Sequence, residues 1–382
     1  MTDTLPTIWP ADPHTLAKHR ILDGYLKAWL PILSRLGKQL RVSEILYVDA
    51  FAGPGRYQGG DDGSPIIALN AALHHTLPFP VPVRLLFIEA DVDRCAHLRS
   101  ILDGRTAQIA ANSQIRVPPP VNDDCVAVLS RELDDRAKSG ERFGPALVFF
   151  DQFGYSTVPM DLISRIMSGD RCEVFMYLNW NRLHPYMTDQ TKWEGFTRAF
   201  GGDEWKAVVA LQGLEKQRRF LGLYRNALQS RGHARFTWPF AMHGEGDQLL
   251  YWLFYCTNSL KGLEEMKKAM WKADDSGSFR FSDGANPAQL SMFKGATQDW
   301  LADHLHQKHL GKKMRVEEVW EYVLTETPCF QYKTALAKLE KEDRLRAVDP
   351  PAERKRGTFP DLTLQLEFVR GPAKQVQLLP GF

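Results

Sequence analysis

Residues 46–56 read LYVDAFAGPGR, an apolar run that ends in an acid, Asp49, and passes into a loop with two glycines, Gly53 and Gly55. A short apolar run bounded by turn residues is typical of a buried strand. Glycine lets a backbone approach a ligand closely and adopt angles that other residues avoid. The stretch therefore predicts a strand followed by a ligand-binding loop, although an ordinary strand-to-helix turn has a similar composition.

The helix after this loop is delayed. Pro54 and residues 57–63 separate the glycines from the next helical stretch, which we predict to begin with Ser64 as N-cap and Pro65 at the first helical position. A dinucleotide-binding loop reads G-x-G-x-x-G and opens directly into a helix. The delay and the missing third glycine disfavour a nicotinamide-dependent dehydrogenase.

Short apolar runs alternate with helical stretches in the first half of the chain. Strands separated by helices indicate βαβ units and a parallel sheet that is covered on both faces. We therefore predict an α/β fold with a Rossmann-like, mostly parallel sheet and helices on both faces. The predicted strands are residues 45–50, 83–89, 114–117, 146–151 and 173–178, and the predicted helices are residues 65–74, 92–102, 124–137 and 159–168.

The length of 382 residues exceeds one ordinary core, so we expect two domains. The first, residues 1–288, would carry the sheet, an N-terminal helix over residues 15–36 and a helical insertion at about 182–233. Pro31 predicts a kink or break in the N-terminal helix. Residues 289–382 are predicted to form three helices and two short strands, in the pattern of a winged helix.

Bulk composition is that of a soluble globular protein, with 44% hydrophobic and 25% charged residues. The net charge is only +2, so nucleic-acid binding would need a local basic patch, and Arg354, Lys355 and Arg356 in the predicted wing offer one. A merely solvated basic loop is an equally good interpretation. The five scattered cysteines contain no C-x-x-C pair, so we expect no metal site. Without a signal-like or membrane-spanning stretch, we expect a cytoplasmic protein that has no membrane partner.

Acids or the glycine loop follow four successive predicted strands. In open α/β sheets, ligands bind in the crevice beyond the carboxyl ends of the strands. In methyltransferases such a loop holds the methionine end of S-adenosylmethionine, with the acid near its amino group. Glu89 is placed to accept from a ribose diol and Asp123 from the adenine amino group, although Asp91 and Asp124 nearby suit plain helix capping. The predicted cofactor site comprises Asp49, Phe51, Gly53, Gly55, Glu89 and Asp123.

Several short motifs of the chain belong together. They are His14-Thr15, Lys18-His19, Ala28-Trp29-Leu30, residues 49–57, Gly63-Ser64-Pro65, Phe87-Ile88-Glu89, residues 151–155 and residues 266–272. With these motifs the chain resembles the three-Cys-motif partner protein family over nearly its whole length. The resemblance implies a Rossmann-like S-adenosylmethionine-dependent methyltransferase with a winged-helix tail, working beside a separate protein that carries a cysteine motif.

One position departs from the pattern that the resemblance implies. Residues 151–155 read DQFGY, with Gln152 where the family usually has proline. In amino-group methyltransferases with a D/N-P-P-Y/F motif, the acid or amide orients the target amine and an aromatic ring stacks on the extruded base. We therefore expect Asp151 to orient the acceptor, with Phe153 or Tyr155 stacking on it.

Two functions remain open from the sequence. The first is a methyltransferase that acts on a base amino nitrogen in RNA or DNA. The second, which the Gln152 departure favours, is a non-catalytic partner protein that keeps the fold and recognises nucleic acid or a protein through the winged helix. Lys18 and His19 could bind an anionic group, although for Lys18 a solvated helix face is slightly favoured.

Overall fold

Seven strands form the central sheet of the first unit, in the order β3-β2-β1-β4-β5-β7-β6. The pairs β1–β2, β2–β3, β1–β4 and β4–β5 are parallel, whereas β7 runs antiparallel to both of its neighbours. All five residues of β1 and of β4 are buried, as expected for central strands of a parallel sheet. The strands are β1 (Ile45–Asp49), β2 (Val83–Phe87), β3 (Ile115–Arg116), β4 (Ala146–Phe150), β5 (Cys172–Leu178), β6 (Phe236–His243) and β7 (Leu249–Thr257).

The structure is a computed structural model that describes residues 6–76, 78–152, 158–243, 248–273 and 298–371. The chain divides into two compact units, Met1–Pro287 and Ala288–Phe382. Helices flank the sheet of the first unit, so the predicted mixed α/β class is confirmed. These helices are α1 (Pro13–Leu40), α2 (Ser64–Leu73), α3 (Val92–Asp103), α4 (Thr106–Ala110), α5 (Cys125–Ser139), α6 (Met160–Met167), α7 (Trp180–Leu183), α8 (Trp193–Phe200), α9 (Gly213–Ser230) and α10 (Leu260–Ala273).

Helix α1 differs from the prediction because it continues through Pro31 without a break. Asp12 caps its first turn by accepting from the backbone of Thr15. A proline removes the hydrogen bond to the carbonyl four residues earlier, which here belongs to Lys27. The side chain of Lys27 is 62% exposed, so this side of the helix faces solvent and water can donate to that carbonyl. Of the two predicted alternatives, the break is therefore wrong, and the kink stays a prediction.

Two carboxylates that suited capping in the sequence do cap helices. The side chain of Asp91 accepts from Arg94 N at 2.9 Å at the start of α3, and that of Asp124 accepts from Ala127 N at 3.0 Å at the start of α5. Helix α2 starts one residue earlier than predicted, because its N-cap is Gly63 and Ser64 is its first residue. The hydroxyl of Ser64 is used elsewhere, as described below.

Helices α7 to α9 and three short 3₁₀ helices lie between β5 and β6 and extend the core of the sheet. Aromatic side chains dominate their packing: Trp180 and Phe220 both contact Trp252 of β7, with ring centroids 5.1 and 5.8 Å apart. Large aromatic rings bury much apolar area per residue, which holds this helical segment onto the edge strands. The 3₁₀ helices are His184–Thr188, Gln190–Lys192 and Glu204–Val208.

Over residues 298–371, the second unit has three helices and a three-stranded antiparallel sheet in the order β8-β10-β9. The sequence predicted only two of these strands, because β8 is three residues long and two of them are charged. Its core is aliphatic and includes Leu305, Val323, Leu336 and Leu366. The elements are α11 (Gln298–His309), β8 (Lys313–Arg315), α12 (Val316–Glu326), α13 (Tyr332–Lys341), β9 (Leu345–Ala347) and β10 (Gln365–Phe368).

Within the described ranges, we find no helix that combines the length and the apolar character needed to cross a membrane.

Candidate functional site

Three predicted acids meet at the carboxyl ends of neighbouring strands. Asp49 is the last residue of β1, Glu89 follows β2 by two residues, and Asp151 directly follows β4. Because β1 pairs in parallel with both β2 and β4, these strand ends lie side by side. All three side chains are largely buried, with exposed fractions between 0 and 9%. We call this region the crevice.

The two glycines of the loop after β1 have different surroundings. Both have positive φ, +63° at Gly53 and +81° at Gly55. A methyl group added at Gly55 would lie 2.7 Å from the terminal carbon of Leu98, so any other residue would displace that side chain and would also be strained at this φ. A methyl group added at Gly53 would meet no atom within 4 Å. Gly53 therefore presents bare backbone to open space, as a ligand-binding loop requires.

Glu89 ties the glycine loop to the second strand. Its Oε2 accepts from Gly53 N at 2.7 Å, and its Oε1 accepts from Asp91 N at 2.9 Å. Asn122 supports the same turn by donating to the carbonyl oxygens of Glu89 and Ala90 at 2.9 and 3.0 Å. A carboxylate oxygen has two lone pairs, so each oxygen of Glu89 can accept one further hydrogen bond.

Asp49 is fully buried beside two other acids. Burial, with the charges of Asp151 and Glu89, raises the pKa of Asp49 to about 7, although the Ser64 hydroxyl and the backbone of Phe51 partly oppose this by hydrogen bonding. Phe51 N lies 3.4 Å from Oδ1. The Ser64 hydroxyl thus serves Asp49 rather than the helix end. Asp49 therefore changes charge near neutral pH, and its side chain has no exposed surface.

Asp151 forms a buried ion pair with Lys18 of α1 through its Oδ2. Lys18 is only 6% exposed, and its Nζ lies 5.0 Å from the centroid of the Tyr177 ring. The solvated helix face predicted for Lys18 is therefore wrong. Helical periodicity in the sequence did not show that this polar side of α1 would pack across the strand ends.

His19 is buried next to Lys18, with 4% of its surface exposed. Burial, together with the charge of Lys18, lowers the pKa of His19 to about 3. The ring is therefore neutral at physiological pH and contributes no positive charge to the crevice. An anion-binding role for His19 is not favoured by this environment.

Aromatic rings that the sequence did not single out enclose the Lys18–Asp151 pair. The rings of Tyr177 and Tyr251 have centroids 4.5 Å apart, and those of Trp9 and Tyr57 are 5.7 Å apart with perpendicular planes. Burial and the charge of Asp151 raise the pKa of Tyr57, Tyr177 and Tyr251. These rings come from four separate regions of the chain, so no local motif marked them; only Tyr57 adjoins the glycine loop.

A small cavity opens beside the loop. Its volume is about 10 Å³. Ligand pockets for drug-sized molecules hold roughly 300–1,000 Å³, so this cavity is far too small for such a ligand unless its walls move. Its lining includes Trp9, Phe51, Gly53, Gly55, Tyr57, Ser64 and Asp151. The structure therefore brings Phe51, both glycines and Asp151 around one hollow. Asp49 and Glu89 do not line it, but they accept hydrogen bonds from the backbone of the lining residues Phe51 and Gly53.

Asp123 stands apart from these residues. Its Oδ2 pairs with Arg131 at 2.5 Å and its Oδ1 accepts from Asp124 N at 2.8 Å. The hydrogen bond from Arg131, then that from Asp124, lowers the pKa of Asp123. Its adenine-binding role stays a prediction. Phe153 and Tyr155 lie outside the described residues.

The basic residues of the predicted wing are partly committed to contacts inside the second unit. Arg354 donates two 2.8 Å hydrogen bonds to the Glu340 carboxylate and lies over the Phe359 ring, and its side chain is 7% exposed. Arg356 contacts the Glu340 carbonyl oxygen and the Asp343 carboxylate. Lys355 is exposed. Arg354 therefore shapes the loop, and Lys355 and Arg356 remain accessible to an external anion.

Comparisons with known proteins do not identify this site. No family model and no curated protein matches the chain. Among solved structures, it is similar to a DUF574 family protein from Streptomyces avermitilis, with 8% sequence identity and a TM-score of 0.29. The similarity covers 63% of this chain and 83% of that chain. So weak a likeness carries no argument about function, and the chemistry has to be argued from the geometry.

Proposed function

We propose that the chain is an S-adenosylmethionine-dependent methyltransferase whose acceptor is a base amino nitrogen in nucleic acid. One observation carries the proposal: the ligand-type glycine loop and three buried acids meet at the point where the strand order reverses, between β1 and β4. In doubly wound sheets, ligands bind in the crevice at this point. Membership of the three-Cys-motif partner family is part of the same proposal.

The residues of the crevice fit the parts of this cofactor. Gly53 leaves room for close approach to the backbone. Asp49 would pair with the cofactor's ammonium group, and the remaining lone pairs of Glu89 would accept from its ribose diol. When bound, S-adenosylmethionine supplies an already activated methyl group, so the protein's contribution is alignment. Because the cavity is small, residues around Trp9 would have to move to admit a nucleoside-sized ligand.

Asp151 is the proposed partner of the acceptor amine. Lys18 contacts its Oδ2, which leaves Oδ1 to accept a hydrogen bond from the amine and fix its lone pair toward the methyl donor. Lys18 keeps the carboxylate paired until the acceptor arrives. The rings of Tyr57, Tyr177 and Tyr251 offer apolar walls for a planar base, in addition to the proposed stacking by Phe153 or Tyr155.

The second unit is proposed to be a winged helix that contacts the nucleic-acid backbone. Its element order, three helices with a small antiparallel sheet, supports this, and Lys355 and Arg356 supply accessible positive charge next to the loop between β9 and β10. A separate protein with a cysteine motif is the proposed partner in the cell.

Calorimetric titration with S-adenosylmethionine tests the cofactor site. We expect binding by the wild type and at least tenfold weaker binding by Glu89→Gln, which keeps the side-chain size but weakens acceptance from the diol. The control is Asp135→Asn, at an exposed carboxylate of α5 that pairs with Lys138. No binding by the folded wild type would overturn the cofactor proposal, and equal binding by Glu89→Gln would remove Glu89 from the site.

The narrow crevice favours a second candidate, a non-catalytic protein that keeps the fold and recognises nucleic acid or a partner. Wild-type protein incubated with labelled S-adenosylmethionine and total RNA or DNA separates the two. Label in acid-insoluble material, lost in Asp151→Ala, supports the enzyme. Binding to nucleic acid without label, with the partner protein present, supports the second candidate.

A further inference from the structure

A large cavity of the first unit lies at the other end of the sheet from the crevice. It holds about 1140 Å³ and opens where β5 begins and β7 ends, beside Cys172, Glu173 and Thr257. Side chains of α1, α5, α6 and α10 complete its walls. Its size exceeds what one drug-sized ligand needs, and nothing in the proposed methyltransferase uses it.

The floor of this cavity is aromatic and aliphatic. Tyr25 and Trp29 of α1 and Phe143 before β4 are 1, 2 and 6% exposed, and all three line the cavity. Leu33 and Met167 add aliphatic surface. Aromatic faces carry negative electrostatic potential, so several rings around one hollow favour a cation over an anion.

Glu173 adds a buried carboxylate to these apolar lining residues. Its Oε2 accepts from the Tyr25 hydroxyl at 2.5 Å and its Oε1 from the Thr257 hydroxyl at 3.1 Å. Hydroxyl groups satisfy hydrogen bonding but do not neutralise charge. Among the described residues, no Lys, Arg or His nitrogen forms an ion pair with Glu173. The first turn of α10 approaches its carboxylate closely, because a methyl group added at Gly262 would lie 2.4 Å from Oε1.

Charges at the rim are mostly paired with each other. Arg165 pairs with Asp134, Arg171 lies 3.7 Å from Asp170, and Lys261 lies 2.7 Å from Glu265. Each of these cations already has a carboxylate. Glu141 and Arg142, of opposite charge, are exposed at the same rim. Among the charged lining residues, Glu173 is the buried one that a ligand inside the cavity would meet.

We infer that this cavity is a binding site for an organic cation, a protonated or quaternary amine with an apolar body. The cationic group sits between the rings of Tyr25 and Trp29 and compensates the charge of Glu173, and the apolar body lies along Leu33 and Met167. Aromatic rings together with a carboxylate are the usual recognition chemistry for quaternary ammonium groups. The inference does not rest on the proposed methyltransferase function.

Calorimetry with benzyltrimethylammonium chloride, against sodium benzoate and benzyl alcohol, tests the charge preference. We expect the cation to bind at least tenfold more tightly than either comparison compound. Equal affinity for the three compounds, or no binding of the cation at millimolar concentration, would overturn the inference.

Two variants with matched controls locate the bound cation. Glu173→Gln removes the charge at nearly constant size and should weaken binding at least tenfold, whereas Glu141→Gln at the exposed rim should change it less than twofold. Because Glu173→Gln puts the fold at risk, Ala137→Trp provides a second test: an indole ring at this exposed lining position would take up part of the cavity and should weaken binding at least tenfold. Lys138→Trp, at the neighbouring exposed position of α5, should leave binding intact. Unchanged binding of benzyltrimethylammonium by Ala137→Trp would place the cation elsewhere and would contradict the proposal.

Discussion

The two ends of the central sheet each bury a carboxylate completely, and they stabilise it in different ways. At the carboxyl end, Asp49 lies beside two further acids, and Lys18 pairs with one of them, Asp151. At the amino end, Glu173 is surrounded by hydroxyl groups without an ion pair. The cavity volumes differ as well, about 10 Å³ at the crevice and about 1140 Å³ at the amino end.

The difference shows how a buried acid can be tolerated. Desolvation raises the pKa of Asp49 to about 7 and that of Glu173 to about 6. Hydrogen bonds from Tyr25, Tyr255 and Thr257 limit the rise at Glu173, whereas neighbouring carboxylates add to the rise at Asp49. Three acids around one hollow raise the cost of folding, which is typical of a site whose ligand supplies the missing positive charge.

The largest effect is expected when the ion pair of the crevice is broken. Lys18→Met leaves Asp151 buried without a counter-charge, and removing one partner of a buried pair costs about 3–5 kcal/mol. Urea unfolding of the wild type and variant measures the loss. The double variant Lys18→Met/Asp151→Asn should recover much of it, because no isolated charge remains. A loss below about 1 kcal/mol in the single variant would show that the pair contributes little.

The crevice acids could be predicted because each stands at a recognisable place in the sequence, at or just after the end of an apolar run. Asp49, Glu89 and Asp151 all have this pattern, and parallel pairing then brings them together. Lys18 could not be found in this way. It comes from a helix 133 residues away from Asp151, and periodicity tells only that one side of that helix is polar.

Sequence reasoning missed Glu173 for another reason. It is the second residue of β5, between Cys172 and Val174, and an acid near the start of a strand usually faces solvent. Its partners Tyr25 and Thr257 are on α1 and β7, which no local pattern connects to β5. The amino-end cavity therefore became visible only in the folded chain.

The second prediction concerns the pH dependence that Asp49 imposes. Its pKa is raised in the folded state, so its contribution to stability is full below about pH 4 and is lost as pH rises through about 7. Three pKa units correspond to about 4 kcal/mol over the whole window. Urea unfolding between pH 5 and 8 should show Asp49→Asn gaining stability relative to the wild type as pH rises. A constant difference across this range would contradict the raised pKa.

A smaller effect of the same sign is expected at the amino end. The pKa of Glu173 is raised from 4.5 to about 6, because burial outweighs its hydrogen bonds. Its contribution to stability is therefore lost between about pH 4 and 6 and amounts to about 2 kcal/mol. Glu173→Gln should remove this dependence, measured by urea unfolding at pH 4.5, 5.5 and 6.5. If Glu173→Gln changed the pH dependence of stability no more than the exposed control Glu141→Gln does, the raised pKa of Glu173 would be contradicted.

The last prediction on stability compares two glycines, Gly53 at the carboxyl end of the sheet and Gly262 at its amino end. Gly53→Ala meets no atom but keeps a positive φ, which costs about 1–2 kcal/mol for a residue with a side chain. Gly262→Ala would place a methyl group 2.4 Å from Glu173 Oε1, an overlap that costs about 1–3 kcal/mol if α10 shifts to relieve it. Gly222→Ala in α9 is the control: it meets no atom and should gain about 1 kcal/mol of helix stability.

Affinity separates the two glycines more sharply than stability does. Because the space beside Gly53 is open, its methyl group would occupy room that the proposed cofactor needs, and we expect at least tenfold weaker binding of S-adenosylmethionine. Gly262→Ala should leave that affinity within twofold, since it touches only the amino end. If Gly53→Ala bound the cofactor as tightly as the wild type, the open space beside Gly53 would serve the conformation of the loop rather than a ligand, and the strongest geometric support for the crevice as a cofactor site would be lost.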